Sequence, residues 1–180
     1  MVQPILEMQG IQKYFPGVHA LDDCRFELRA GEVHALVGEN GAGKSTLMKI
    51  LSGIYPRDGG SVRLDGREIN VKSTLEAQRL GISIIHQEIN LMQDLTVSEN
   101  IYIGREPTQG ILLNGAKQDA QTNALLDSLR LTDIRAGTRV RTLTVAKQQM
   151  VEIAKALSFS NTRILIMDEP TAALTESEIE

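Results

Sequence analysis

Residues Gly38-Glu39-Asn40-Gly41-Ala42-Gly43-Lys44-Ser45-Thr46 constrain this chain more than any other stretch. They join an apolar β-type run, Glu32 to Val37, to a run of good helix formers, Lys44 to Leu51. Glycine gives the backbone left-handed turns and close approach, and a helix that starts here adds its positive dipole end. Strand, glycine loop and helix in this order form a nest of backbone N–H groups for phosphate oxygens, and the spacing fits G-x-x-x-x-G-K-[ST]. All nine residues from Gly38 to Thr46 are candidates for contact with a nucleotide. Lys44 is expected to reach the β- and γ-phosphates of ATP, and the Ser45 hydroxyl to reach Mg²⁺.

A second constellation fits the same chemistry. Four apolar residues, Ile164-Leu165-Ile166-Met167, read as a buried strand that delivers Asp168 and Glu169 at its end, before Pro170. An acid at the first of these positions can hold the Mg²⁺ shell. A carboxylate at the second can orient the water that attacks the γ-phosphate and accept its proton. Lys44 and Glu169 are therefore the first catalytic candidates.

The remaining pattern describes a mixed chain. Ile5 to Met8 and Ala20 to Leu28 read as strands around a Pro16-Gly17 turn, and Ser61 to Leu64, bracketed by glycine-rich turns, extends them into a small antiparallel sheet. Ile82 to Ile85 is a further buried strand. Beyond it the period changes to helical: Thr96-Val97-Ser98-Glu99 is a capping box, Asp119 to Arg130 carries Ala124, Leu125, Leu126 and Leu129, and Leu143 to Leu157 continues likewise. Residues 1–88 and 160–180 are expected to form an ATP-binding α/β core with the antiparallel sheet, and residues 89–159 an inserted helical subdomain. A capping box at Thr175 to Glu178 opens a helix just before Glu180, which reads as a piece of a longer protein, incomplete at the C-terminus.

Composition narrows the partners. A net charge of −4 argues against nucleic acid, and Cys24 as the single cysteine allows no internal disulfide. No stretch approaches the roughly 18 apolar residues of a membrane span, so any membrane role is expected to come through a partner. His19, His34 and His86 lack ligand spacing, Cys24 reads as a buried small hydrophobe, and Arg130, Arg135, Arg139 and Arg141 as a solvated basic face.

The motif order resembles the ABC ATPase family over nearly the whole chain, which implies a P-loop NTPase (RecA-like) core. Ile85-His86-Gln87-Glu88 resembles the Q-loop, which implies that Gln87 contacts Mg²⁺ or the attacking water and adds to the catalytic set. Phe15 resembles the aromatic that stacks on adenine; Tyr14 is its rival, and a plain core aromatic is a third reading. Leu143-Thr144-Val145-Ala146-Lys147 is similar to the family signature Leu-Ser-Gly-Gly-Gln. That likeness implies that Thr144 faces the ATP of an opposing domain, although both glycines are replaced. Pro170 to Thr175 resembles the D-loop.

The Pro16-Gly17-Val18 turn, the phosphate loop and the Gln148 to Lys155 helix look like the first half of bacterial monosaccharide-importer ATPases. This resemblance implies an ATPase at the cytoplasmic face of the inner membrane that drives uptake of a pentose or hexose. Its implied partners are transmembrane permease subunits, a second ABC domain and, indirectly, a periplasmic sugar-binding protein. Soluble ABC proteins of translation or DNA repair, which use the same clamp, are the alternative.

Overall fold

Alternation of apolar and polar residues from Leu6 onward builds β1 (Leu6–Phe15), which lies between β2 (Val18–Leu28) and β3 (Gly59–Leu64), with β4 (Arg67–Ile69) outermost. Every neighbouring pair is antiparallel. Leu6, Met8 and Ile11 of β1 are buried with Leu21, Val62 and Leu64. The inward set moves from even to odd numbers between Met8 and Ile11, where the pairing with β2 shifts register and Gly10 takes φ 63°. A bulge there reverses which face each later residue occupies. Gly60 makes room for it: a Cβ at this residue, whose φ is 82°, would stand 2.5 Å from the Gln9 and Gly10 carbonyl oxygens.

The computed structural model describes residues 3–85 and 89–168 and divides into two compact units, one ending at Ile82 and one beginning at Ser83. In the first unit, α1 (Lys44–Leu51) buries Leu47, Ile50 and Leu51. Helix α2 (Thr74–Arg79) is capped by Ser73, whose hydroxyl accepts from the Glu76 N–H. The expected strand over Glu32 to Val37 does not form. These residues have no ladder partner among the described residues, and Val33 and Val37 are 100% and 92% exposed. A β-strand exists only as a pairing relation, so an apolar run without a neighbour is left irregular. Its beginning is held by a turn in which the Arg29 N–H donates to Glu32 at 2.8 Å.

The second unit joins a strand pair to three helices. Strand β5 (Ile82–Ile85) neighbours β8 (Ile164–Met167). Ser83 meets Thr162 at 3.2 Å and the Asp168 N–H donates to the Ile85 carbonyl at 3.2 Å, so both strands run in the same direction. A short hairpin, β6 (Thr108–Gln109) with β7 (Leu112–Leu113), precedes α4 (Gly115–Ser128). Helices α3 (Val97–Tyr102), α4 and α5 (Val145–Leu157) surround a core of Val97, Ile101, Leu126, Ile134, Val140, Val151 and Ala154. Helix α4 begins four residues before the expected Asp119, because Asn114 caps it and its buried positions are Gln118, Thr122 and Leu126. Two polar residues at core positions hide the helical period from an apolar count, and Ala124 faces solvent. Cys24 is half-buried rather than enclosed. Arg141 and Arg135 pair with Asp94 and Asp127 at the surface, as a solvated face would.

The capping box of α3 forms as its residues imply. The Glu99 N–H donates to the Thr96 hydroxyl at 3.2 Å, and the Thr96 N–H donates to the Glu99 carboxylate at 2.7 Å. These bonds hold the Glu99 carboxyl below the usual carboxylate range. Replacing Thr96 by Ala is expected to cost about 1 kcal/mol, read as a lower urea midpoint at unchanged slope. An unchanged midpoint would show that the box does not hold the helix.

Candidate functional site

The loop from Gly38 to Gly43 is a run of turns held open by backbone conformation. Gly41 and Gly43 take φ 86° and 85°, and the Ala42 N–H closes a turn onto the Glu39 carbonyl at 3.2 Å. Gly43 is the N-cap of α1, and no side chain caps that helix. Helix starts normally recruit a hydroxyl or carboxylate for their first amides, so an uncapped start beside glycine turns is a seat for an anion. The Lys44 ammonium folds back over the loop, donating to the Gly38 carbonyl at 2.7 Å and the Glu39 carbonyl at 3.0 Å. Cation, uncapped helix and left-handed glycines meet in one loop. Its donor set fits a polyphosphate.

Leu21 explains why the loop sits where it does. A Cβ at Gly43 would fall 2.6 Å from the Leu21 side chain and 2.9 Å from the Ala20 carbonyl oxygen, so the loop lies against β2 with no space between. Leu21 stands opposite Lys13 of β1, and the Lys13 ammonium lies 5.4 Å from the centre of the Phe15 ring. Phe15 therefore shares the sheet face that carries the loop. Tyr14 points to the other face, stacked on His19 with centroids 4.2 Å apart. Phe15 also meets Tyr55, just beyond α1, edge-on at 5.4 Å. Its rival is on the wrong side of the sheet for the loop.

In the second unit, Asp168 follows β8 and is bonded through its N–H to Ile85, the last residue of β5. The end of β5 and this acid are thus side by side. Gln87, His86, Glu169, the Pro170 to Thr175 segment and the Thr175 capping box lie outside the described residues. Among the described residues no group of three His, Cys, Asp or Glu gathers as a metal cage. Mg²⁺ beside a nucleotide needs no such cage, since one hydroxyl, one carboxylate and phosphate oxygens suffice.

The signature-like segment is built differently from a glycine turn. The Thr144 hydroxyl caps α5, accepting from the Lys147 N–H at 3.3 Å. The Lys147 ammonium pairs with Asp133 at 2.6 Å and holds that carboxyl below the usual range. Gln148 donates to the Leu143 carbonyl at 3.0 Å and accepts from Gln93 at 3.1 Å, while Glu152 accepts the Asn90 N–H at 2.7 Å. None of these partners was visible in the spacing of the sequence. Asp133 and Asn90 lie in loops whose residues carry no period.

A family model described as ABC transporter matches residues 21–172. The chain belongs to the ABC transporter family. This ABC chain is 60% identical over 179 residues to a Burkholderia cenocepacia protein provisionally named ribose/galactose/methyl galactoside import ATP-binding protein 2, a match covering 98% of this chain and 35% of that one. It is 57% identical over 180 residues to ribose import ATP-binding protein RbsA 1 of Rubrobacter xylanophilus, covering 99% of this chain and 35% of that protein. The ABC chain thus spans about a third of the length of these curated relatives. Among solved structures, it matches the ADP conformation of an ATP-binding cassette of an ABC transporter with a TM-score of 0.83 and 28% identity, over 98% of this chain and 73% of that one. A nucleotide-free ATP-binding cassette from an ABC transporter matches with a TM-score of 0.82 and 26% identity, over the same shares. The shared architecture is the α/β fold of P-loop NTPases with an antiparallel sheet, as the motif order implied.

The glycines of the ABC loop differ in a way that can be measured. A Cβ at Gly41 would meet nothing within 4 Å, whereas one at Gly43 overlaps Leu21 and Ala20. Gly41→Ala is expected to cost about 1 kcal/mol, from left-handed strain alone. Gly43→Ala should cost clearly more in urea denaturation. Equal losses would contradict the packing of the loop on β2.

Proposed function

We propose that the intact protein is the ATP-binding and ATP-hydrolysing subunit of a bacterial ABC importer for a monosaccharide, a pentose or hexose. It works at the cytoplasmic face of the inner membrane, bound to permease subunits, paired with a second ABC domain and served indirectly by a periplasmic sugar-binding protein. The observation that carries ATP binding is the uncapped start of α1 with the Lys44 ammonium folded over left-handed glycines. The substrate class is supported by relatives whose names specify import of ribose, galactose and methyl galactoside. No helix among the described residues is long and apolar enough to cross a membrane.

Bound Mg-ATP supplies the phosphoanhydride bond whose hydrolysis drives transport. In this reading the Gly38 to Thr46 backbone holds the phosphates, and Lys44 leaves the Gly38 and Glu39 carbonyls to pair with the β- and γ-phosphates. The Ser45 hydroxyl, the Asp168 carboxylate and Gln87 are the groups that would hold Mg²⁺. Glu169 would orient the attacking water and take its proton, with Gln87 as a further member of the catalytic set. Phe15 stacks on adenine, supported by its position on the loop-bearing face of the sheet. Thr144 faces the nucleotide of the opposing domain while capping α5. Residues 1–88 and 160–180 make up the nucleotide core, and residues 89–159 the helical subdomain.

Sugar-stimulated ATP hydrolysis tests this function. The intact protein with its permease in membrane vesicles should hydrolyse ATP faster when one sugar-loaded binding protein is added. No membrane association and no stimulation by any sugar would overturn the importer reading. Lys44→Ala is expected to weaken ATP affinity about tenfold or more, measured by nucleotide titration, because the phosphate counter-charge is lost. Glu169→Gln should leave affinity unchanged and slow turnover by about 10²- to 10⁴-fold. Turnover at the parent rate in that variant would remove Glu169 from the chemistry.

A further inference from the structure

Asp58 makes an unusual set of contacts for a residue in a glycine-rich turn. The pairing of β1 with β3 ends at Gln12 and Gly59, so the backbone of β1 beyond Gln12 has no ladder partner on that side. Asp58 takes over there. Its N–H donates to the Gln12 carbonyl at 3.0 Å, and its carboxylate accepts the Tyr14 N–H at 2.7 Å and the Lys13 ammonium at 3.1 Å. Lys13 is 6% exposed, an enclosed cation that requires an anionic partner. The turn is itself pinned, since Arg57 donates to the Gly60 carbonyl at 3.1 Å and to Asn70 at 3.2 Å. Three bonds from one residue thus fix the last residues of β1, immediately before Phe15.

We infer that Asp58 is a positioning residue for adenine recognition: it extends the β1 ladder through its carboxylate and so holds the Phe15 ring at the edge of the nucleotide site. The inference rests on the reading of Phe15 as the adenine platform. Without the carboxylate, the Tyr14 N–H and the Lys13 ammonium lose their partner together, and the strand end bearing Phe15 is released into the hairpin turn. The phosphate loop is untouched by this loss, because it is seated on Leu21 and Ala20 instead. Adenine contacts and phosphate contacts should therefore separate.

The test compares the affinity of the intact protein for Mg-ATP with that for Mg-tripolyphosphate, in the parent and in the Asp58→Ala, Asp58→Asn and Phe15→Ala variants. Loss of one base–aromatic stack is on the order of tenfold. Asp58→Ala and Phe15→Ala should each weaken ATP binding by about that factor and leave tripolyphosphate binding unchanged. Their combination should be no worse than Phe15→Ala alone, since both act through one ring. Asp58→Asn keeps an oxygen for the Tyr14 N–H and should recover part of the ATP affinity. If Phe15→Ala weakens ATP and neither Asp58 variant does, Asp58 has no positioning role and the Phe15 reading stands. If Phe15→Ala has no effect, the platform reading fails and this inference falls with it. Equal weakening of ATP and tripolyphosphate by Asp58→Asn would make Asp58 a general structural residue and overturn the proposal.

Discussion

The left-handed backbone of Gly43, wedged against Leu21 and the Ala20 carbonyl, determines where α1 begins and so where its first amides point. A side chain at this position has nowhere to go, and a different start for α1 would turn the Lys44 ammonium away from the loop. Leu21 can act as this stop because it is itself buried and is paired across the sheet with Lys13. The bulge at Gly10 sets the face on which Lys13 and Phe15 lie. The seat of the glycine loop and the placement of the Phe15 ring thus descend from one strand register. The antiparallel sheet acts as the ruler from which loop and aromatic are both measured.

The second unit shows how a signature-like segment without its two glycines can still be fixed in place. Val145 and Ala146 open α5 as ordinary helical residues under the Thr144 cap, and Asp133 anchors Lys147. Gln148 and Glu152 tie the same helix to Gln93 and Asn90, in the segment that follows β5. Bonds of this kind link α5 directly to Asn90 and Gln93.

Much of this arrangement was legible in the residues themselves. The phosphate loop, the Thr96 to Glu99 cap and the strands at Ser61 to Leu64, Ile82 to Ile85 and Ile164 to Met167 follow from local chemistry: left-handed glycines, reciprocal caps and short β-branched runs. What escaped the sequence depends on partners distant along the chain. Glu32 to Val37 has the composition of a buried strand, yet no neighbouring strand among the described residues completes it. The start of α4 was hidden because Gln118 and Thr122 occupy core positions. Which sheet face carries Phe15 and which carries Tyr14 turns on a bulge at Gly10, five residues after Ile5 opens the pattern, too subtle a shift to read from alternation. Asp58 looked like an ordinary turn residue, and only the enclosure of Lys13 reveals it as a clamp.

The most direct test of this account is a structure of the intact protein with Mg²⁺ and a non-hydrolysable ATP analogue. The account predicts phosphate oxygens within hydrogen-bonding distance of the Gly41 to Thr46 amides and the Lys44 ammonium moved from the Gly38 and Glu39 carbonyls onto the β- and γ-phosphates. A nucleotide bound away from the start of α1, with Lys44 still on those carbonyls, would contradict it.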